Sequence, residues 1–156
     1  MSAFTIRLLS EPDHQLILPL LSAYGAEMAP HLAGAAPATA PEMLRLIAND
    51  PRAEILLAFR GDEALGFALF FDLPEIVFAR RCGALDDLFV RPSARRQGVA
   101  QALIEALAEM GRARAWSHLR WIVPETDQGA IALYQRIASR APWHSFVLRL
   151  APEASI

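Results

Sequence analysis

The sequence predicts an α/β (in the broad sense α+β) fold: a mixed sheet with helices on both faces, in the order β-α-α-β-β-β-α-β-α-β. Two observations carry this. Short apolar runs with period-two alternation interchange with longer stretches whose apolar residues recur every three or four positions. In the first half, two strand-like runs meet at a tight turn and must be antiparallel. In the second half, strands alternate with helices, which requires parallel neighbours joined by a crossover helix. At 156 residues the chain has the length of one domain, taken as 1–156, and can bury a substantial core.

Taken in order, residues 3–9 (AFTIRLL) alternate and read as a strand. Ser10 can cap a helix whose first turn holds Pro12, and Leu16, Leu20 and Tyr24 share its face up to Gly25. Residues 29–41 (APHLAGAAPATAP) read as a connection, and a second helix over about 41–49 stops before Asp50-Pro51. ILLAF (55–59) and ALGFALFF (64–71) flank a Gly-Asp turn and form a hairpin, with the second strand broken at Leu73-Pro74-Glu75. A strand over 84–90 (ALDDLFV) follows. After Gly98 comes a helix with Val99, Leu103, Leu107 and Met110 on one stripe. HLRWIV (118–123) is a strand, 127–139 a helix and WHSFVLRL (143–150) a last strand.

Composition removes several function classes. A net charge of −2 gives no electrostatic support for nucleic-acid or membrane-surface binding. No apolar run reaches membrane-span length, and the N-terminus lacks the charged start and long apolar stretch of a signal peptide, so the expected location is cytoplasmic. Cys82 is the only cysteine and the four histidines form no HxxxH or HxH pair, so no metal site is expected. GxSxG, P-loop and GxGxxG patterns are absent.

The chemistry-bearing stretch is VRPSARRQGVAQAL (90–103), where a strand hands over to a helix. A helix start offers four amides without intrahelical acceptors and the positive end of the dipole. Gly98 lets a phosphate approach that backbone, Ala100 keeps the next turn small, and Arg95 and Arg96 add charge. The loop alone fits a pyrophosphate cradle and a solvated turn equally well.

The surrounding residues resemble the acetyl-CoA-binding segment of the GCN5-related N-acetyltransferases. Arg95-Arg96-Gln97-Gly98-Val99-Ala100 matches their [Q/R]-x-x-G-x-[G/A] loop at every defined position, after LDDLFVRP and before an apolar helix. TDQGAIALYQRIA is similar to the second signature, N-x-x-A-x-x-x-Y, with Ala130 and Tyr134 in register and Asp127 in place of the asparagine. The resemblance spans about 55–150, and LDDLFV with the RWIVPETD and WHSFVL segments looks most like the diamine and thialysine acetyltransferase branch. It implies a mostly antiparallel sheet with one splayed parallel pair, acetyl-CoA as co-substrate, and a primary amine of a small molecule or peptide as acceptor. A homodimer is compatible with the apolar residues Trp143, Phe146 and Val147.

The resemblance also implies roles. The backbone of Leu88, Phe89 and Val90 holds the pantetheine arm, and the stretch from Arg95 and Arg96 through Gln97, Gly98, Val99 and Ala100 holds the pyrophosphate, with Asp127 beside the CoA arm. Tyr134 protonates the departing thiolate. Asp86 aligns with a glutamate that draws a proton from the amine through water, and adjacent strand positions put Asp86 and Asp87 on opposite faces. Glu27 is a candidate for recognising a cationic amine. The competing reading is a degenerate acyl-CoA-binding member, suggested by Asp127 and by Ala138-Ser139 where the family has Gly-Phe. A non-CoA phosphate binder on a similar turn is a third.

Overall fold

In the computed structural model, residues 4–32 and 34–151 are described. Ala3, Ala33 and the 152–156 tail, which the sequence assigns to the first strand, a connection and a frayed end, lie outside the described residues. The elements are β1 (Thr5–Leu8), α1 (His14–Met28), α2 (Ala40–Ala48), β2 (Ala53–Arg60), β3 (Glu63–Glu75), β4 (Arg80–Val90), α3 (Val99–Ala113), β5 (Trp116–Arg120) and α4 (Gln128–Ile137). The five strands lie in sequence order in one sheet. Pairing is antiparallel from β1 to β4 and parallel between β4 and β5. No helix among the described residues is long and apolar enough to cross a membrane.

Local chemistry explains most boundaries. Thr39 caps α2 and Glu42 reaches back to the Thr39 amide, a reciprocal capping box. Ser10 and Asp13 make the same box before α1, through a single 3-10 turn, Glu11–Asp13. Asp13 is buried, pairs with Arg7 at 2.7 Å, and has its proton affinity lowered chiefly by the Ser10 hydroxyl. The helix α1 runs past Gly25 to Met28, and its buried face is Ile17, Leu20, Leu21 and Gly25. That face fits the close approach of Met43 and Pro37 to Gly25.

The sheet is covered on both sides. One face packs Leu56, Ala58, Leu65, Phe70 and Leu85 against Val99, Leu103 and Leu107 of α3. The other packs Ile55, Leu57, Phe67 and Phe89 against Ile17, Leu20 and Leu21 of α1. Cys82 is buried as a small apolar residue. The Leu73-Pro74-Glu75 stretch does not end β3 as expected. The hairpin continues to the Glu75–Arg80 pair, with Pro74 opposite Arg81 near its tip.

The fold class stands, but the last expected strand does not form. Residues 143–150 join no ladder, and Trp143, Phe146, Leu148 and Leu150 are 84–91% exposed. Alternation and β-propensity supply a strand's side chains, whereas a strand also needs a neighbour's backbone. None is beside this segment among the described residues.

Candidate active site

The strands β4 and β5 part company at the site. β4 stays paired with β3 up to Gly66↔Val90, but pairs with β5 only between Arg81↔Trp116 and Ala84↔Arg120. From Leu85 to Val90 the β4 edge facing β5 therefore has no strand partner among the described residues. The sheet packs tightly behind this edge: a Cβ on Gly66 would lie 2.5 Å from the Phe89 carbonyl oxygen. The Phe89 and Val90 side chains are buried and Leu88 is half-buried against the α3 side. What these three residues offer a ligand is their backbone.

Beyond Val90 a 3-10 turn, Pro92–Ala94, leads to the loop 95–98 and into α3. Gly98 caps α3 in the left-handed region (φ 88°, ψ 5°), and Arg96 just before it has φ 62°. The first helical bond over the cap runs from the Ala102 N–H to the Gly98 carbonyl at 2.9 Å, so the amides ahead of it face outward at the helix's positive end. A Cβ at Gly98 would meet nothing nearer than Phe4 Cε2 at 4.0 Å, so the space over the cap is open. The loop's side chains behave unequally. Arg95 Nε donates to the Val90 carbonyl at 2.8 Å, and its guanidinium pairs with Glu27 above the Phe89 ring. Gln97 donates to the Ser93 carbonyl and accepts from Arg60 at 2.8 Å. Arg96 is solvent-exposed, and Val99 is buried in the α3 core face.

Two carboxylates lie on the unpaired stretch of β4. The ladder passes from Leu69↔Asp87 to Phe70↔Leu85, so Asp86 sits in a β-bulge. The bulge breaks the alternation expected of Asp86 and Asp87: Asp86 is solvent-exposed, and Asp87 turns toward α1, where it accepts a hydrogen bond from the Tyr24 hydroxyl. Burial pushes the Asp87 carboxyl above its ordinary value, with Asp86 beside it adding to the rise and the Tyr24 bond opposing it. Tyr24 is in turn held protonated far above the usual phenol range, by burial first and then by Asp87. Glu27, one turn further along α1, contributes to the same negative field.

Tyr134 projects from α4, half-buried against the α3-side core, with its ring edge-on to Trp121 at 5.3 Å. Burial raises its proton affinity, and the Asp127 charge adds to the effect. Asp127 caps α4, accepting from the Ala130 amide at 3.0 Å. The carboxylate in the asparagine position thus does an ordinary capping job.

The Acetyltransferase (GNAT) family model matches residues 20–138, which takes in the splay, the loop, the carboxylates and Tyr134. The chain belongs to the GNAT family. Family members use acetyl-CoA as co-substrate. A Thialysine N-epsilon-acetyltransferase from Caenorhabditis elegans is 32% identical over 96 residues, covering 62% of this chain and 59% of that protein. The chain thus spans less than two thirds of that relative's length. The solved structure of a ribosomal-protein-alanine N-acetyltransferase from Brucella melitensis biovar Abortus 2308 superposes with a TM-score of 0.79 at 32% identity, covering 95% of this chain and all of that one. An aminoglycoside acetyltransferase from an uncultured soil metagenomic sample gives 0.76 at 25% identity, covering 96% and 99% of the two chains.

On this GNAT chain, two site residues carry no sequence mark. Tyr24 reads as a core-facing helix residue, and its partner Asp87 is 63 positions away. Arg60 closes the hairpin strand β2, yet reaches the loop through Gln97 with its guanidinium over the Phe4 ring. Both contacts cross the sheet's long-range pairing, which no local pattern encodes.

Proposed function

We propose that the chain acts as one acetyl-CoA-dependent N-acetyltransferase domain, moving an acetyl group to a primary amine by direct attack in a ternary complex. The observation that carries this is the unpaired β4 edge from Leu85 to Val90 running straight into the amide cradle at Gly98. An extended pantetheine arm satisfies such an edge as an added strand would, and the pyrophosphate suits the outward amides from Arg96 to Ala100. With the Arg95 and Gln97 side chains hydrogen-bonded to other groups of the protein, the backbone is the principal phosphate ligand. A main-chain N–H near the bulge polarises the thioester carbonyl, and Tyr134 gives its proton to the departing thiolate. Its raised proton affinity keeps it an acid at neutral pH.

Asp86 and Asp87, with the Arg95-paired Glu27 nearby, give the acceptor side a negative field that favours a cationic amine. The names of the nematode and Brucella relatives support thialysine and an N-terminal alanine peptide as first acceptors to try. The expected cytoplasmic location remains part of this proposal. The exposed apolar 143–150 segment supports pairing with a second copy, which light scattering at several concentrations tests.

A thermal-shift titration with acetyl-CoA, CoA and ATP is the direct test, followed by thiol release with thialysine, spermidine and an alanine-start peptide. Stabilisation by both CoA species with thiol release supports the proposal. Stabilisation without thiol release from any acceptor supports the degenerate binder, and no response to either CoA species removes both.

A further inference from the structure

We propose that Arg95 is a positioning residue for the acyl donor. Anchored by Glu27, its guanidinium closes the last carbonyl of the open β4 edge and so fixes the register of the pantetheine arm. This rests on the acetyl-transfer reading above and deepens it. The backbone geometry leaves few groups for the arm. The Arg91 amide donates to the Leu65 carbonyl at 2.9 Å, and Gly66 stands opposite Val90. Backbone groups point alternately to either side along a strand. With Phe89 and Arg91 turned to β3, Leu88 and Val90 present their N–H and C=O to the side that β5 vacates. One of these four groups is already taken, because Arg95 Nε donates to the Val90 carbonyl at 2.8 Å. The arm is left the Leu88 N–H and C=O and the Val90 N–H. Beyond Leu88 the edge has no free acceptor among the described residues.

Three contacts hold Arg95 in that place. Its amide donates to the Pro92 carbonyl at 3.3 Å, its guanidinium lies 5.5 Å from the centre of the buried Phe89 ring, and Nη2 donates to the Glu27 carboxylate. Glu27 stands on α1, which is itself fixed to β4 one turn earlier by the Tyr24 hydroxyl on Asp87. A carboxylate committed to Arg95 in this way serves the donor edge rather than the incoming amine. The consequence for the arm is a matter of register. An added strand slips along an edge in steps of two residues, about 7 Å. With the Val90 carbonyl closed, a slip toward the loop gains no hydrogen bond; with it open, the slip gains one. A slipped thioester does not react, because even 1 Å of misplacement can cost about 100-fold in rate.

The test compares the wild type with Arg95→Ala, Glu27→Ala and the double variant, by steady-state kinetics with acetyl-CoA and thialysine and by carbonyl NMR with CoA. Opening the Val90 carbonyl lets the arm bind unproductively. In Arg95→Ala, kcat and the KM for acetyl-CoA should fall together, each by about fivefold, the worth of one neutral hydrogen bond. Glu27→Ala should give a smaller joint fall with the thialysine KM nearly unchanged, and the double variant should be no worse than Arg95→Ala. A side chain that holds phosphate behaves differently. A raised KM for acetyl-CoA with kcat kept in Arg95→Ala, or no change in either constant, overturns the proposal. So does a raised thialysine KM as the main effect of Glu27→Ala. The second readout needs no turnover. With 13C-carbonyl leucine and valine, assigned through 15N-labelled phenylalanine and arginine, CoA should move the Leu88 signal and leave that of Val90 in place. In Arg95→Ala both should move. A wild-type Val90 carbonyl that moves as far as that of Leu88 overturns the inference even if thialysine is acetylated. Failure of the acetyl-transfer reading is separately visible, as no thiol release from any of the amines and no carbonyl shift with any CoA species.

Discussion

Gly98→Ala separates what the loop does for the fold from what it does for a ligand. The residue sits at φ 88° as the cap of α3, a conformation that costs an L-residue about 1–2 kcal/mol. Its added methyl meets only Phe4 Cε2, at 4.0 Å, so no steric term joins the backbone strain. For a chain of this size that strain lowers Tm by roughly 2–8 °C and leaves the protein folded at 20 °C. Binding should suffer more, because the methyl stands where a pyrophosphate approaches the amides. Losing two charge-assisted hydrogen bonds at about 1.5 kcal/mol each costs about 3 kcal/mol, or about 100-fold in Kd. Isothermal titration with acetyl-CoA at 20 °C, with circular dichroism as the fold control, reads both effects. Arg96→Ala, which removes an exposed side chain and leaves the amides in place, should cost less than about tenfold. A folded Gly98→Ala protein binding acetyl-CoA within threefold of wild type would refute the backbone-cradle argument.

Other substitutions probe other parts. Tyr134→Phe should lower kcat by about 100-fold while leaving acetyl-CoA affinity nearly unchanged, and unchanged turnover across the whole pH range would remove the acid role. Because folding raises the Asp87 proton affinity, its ionised form opposes folding above that raised value. Asp87→Asn should therefore increase Tm at pH 7 while reducing turnover, which calorimetry beside the thiol assay reads. Asp13 has the opposite sign. Folding lowers its proton affinity, so its stabilisation is present above the ordinary value of 3.8 and fades as the pH falls below it. The acid arm of Tm against pH should flatten in Asp13→Asn. Gly83→Ala would place a Cβ 2.3 Å from the Trp116 ring and 2.9 Å from Leu119, and should cost about 1–3 kcal/mol, seen as a drop of several degrees in a calorimetric scan.

Much of the fold is local physics and was legible for that reason. The cap at Ser10, the Gly-Asp hairpin turn, and the Val99–Leu103–Leu107 stripe each lie within a few residues of one another. Their hydrogen bonds and buried faces are decided before any distant segment arrives. The same holds for the loop. Gly98 opening a helix after a strand marks a left-handed cap with outward amides, and Asp127, Ala130 and Tyr134 lie on one short helix and its cap.

Where sequence alone went astray, a missing or distant partner was the reason. The WHSFVLRL segment has a strand's alternation but no neighbouring strand among the described residues, so it stays exposed. Alternation alone sends Asp86 and Asp87 to opposite faces, but a bulge set by β3 pairing changes that geometry. The Arg95–Glu27 pair forms only because α1 lies over the loop, and Tyr24 reads as core until α1 lands over Asp87. By itself, then, the sequence determined the element order through β5 and α4, the cap at Ser10 and the strand-to-helix turn at Gly98. The tertiary structure alone decided the length of the unpaired β4 edge, the bulge that keeps Asp86 beside Asp87 and the Tyr24–Asp87 bond. Those features depend on where β3, β5 and α1 come to rest against β4, and long-range packing sets that.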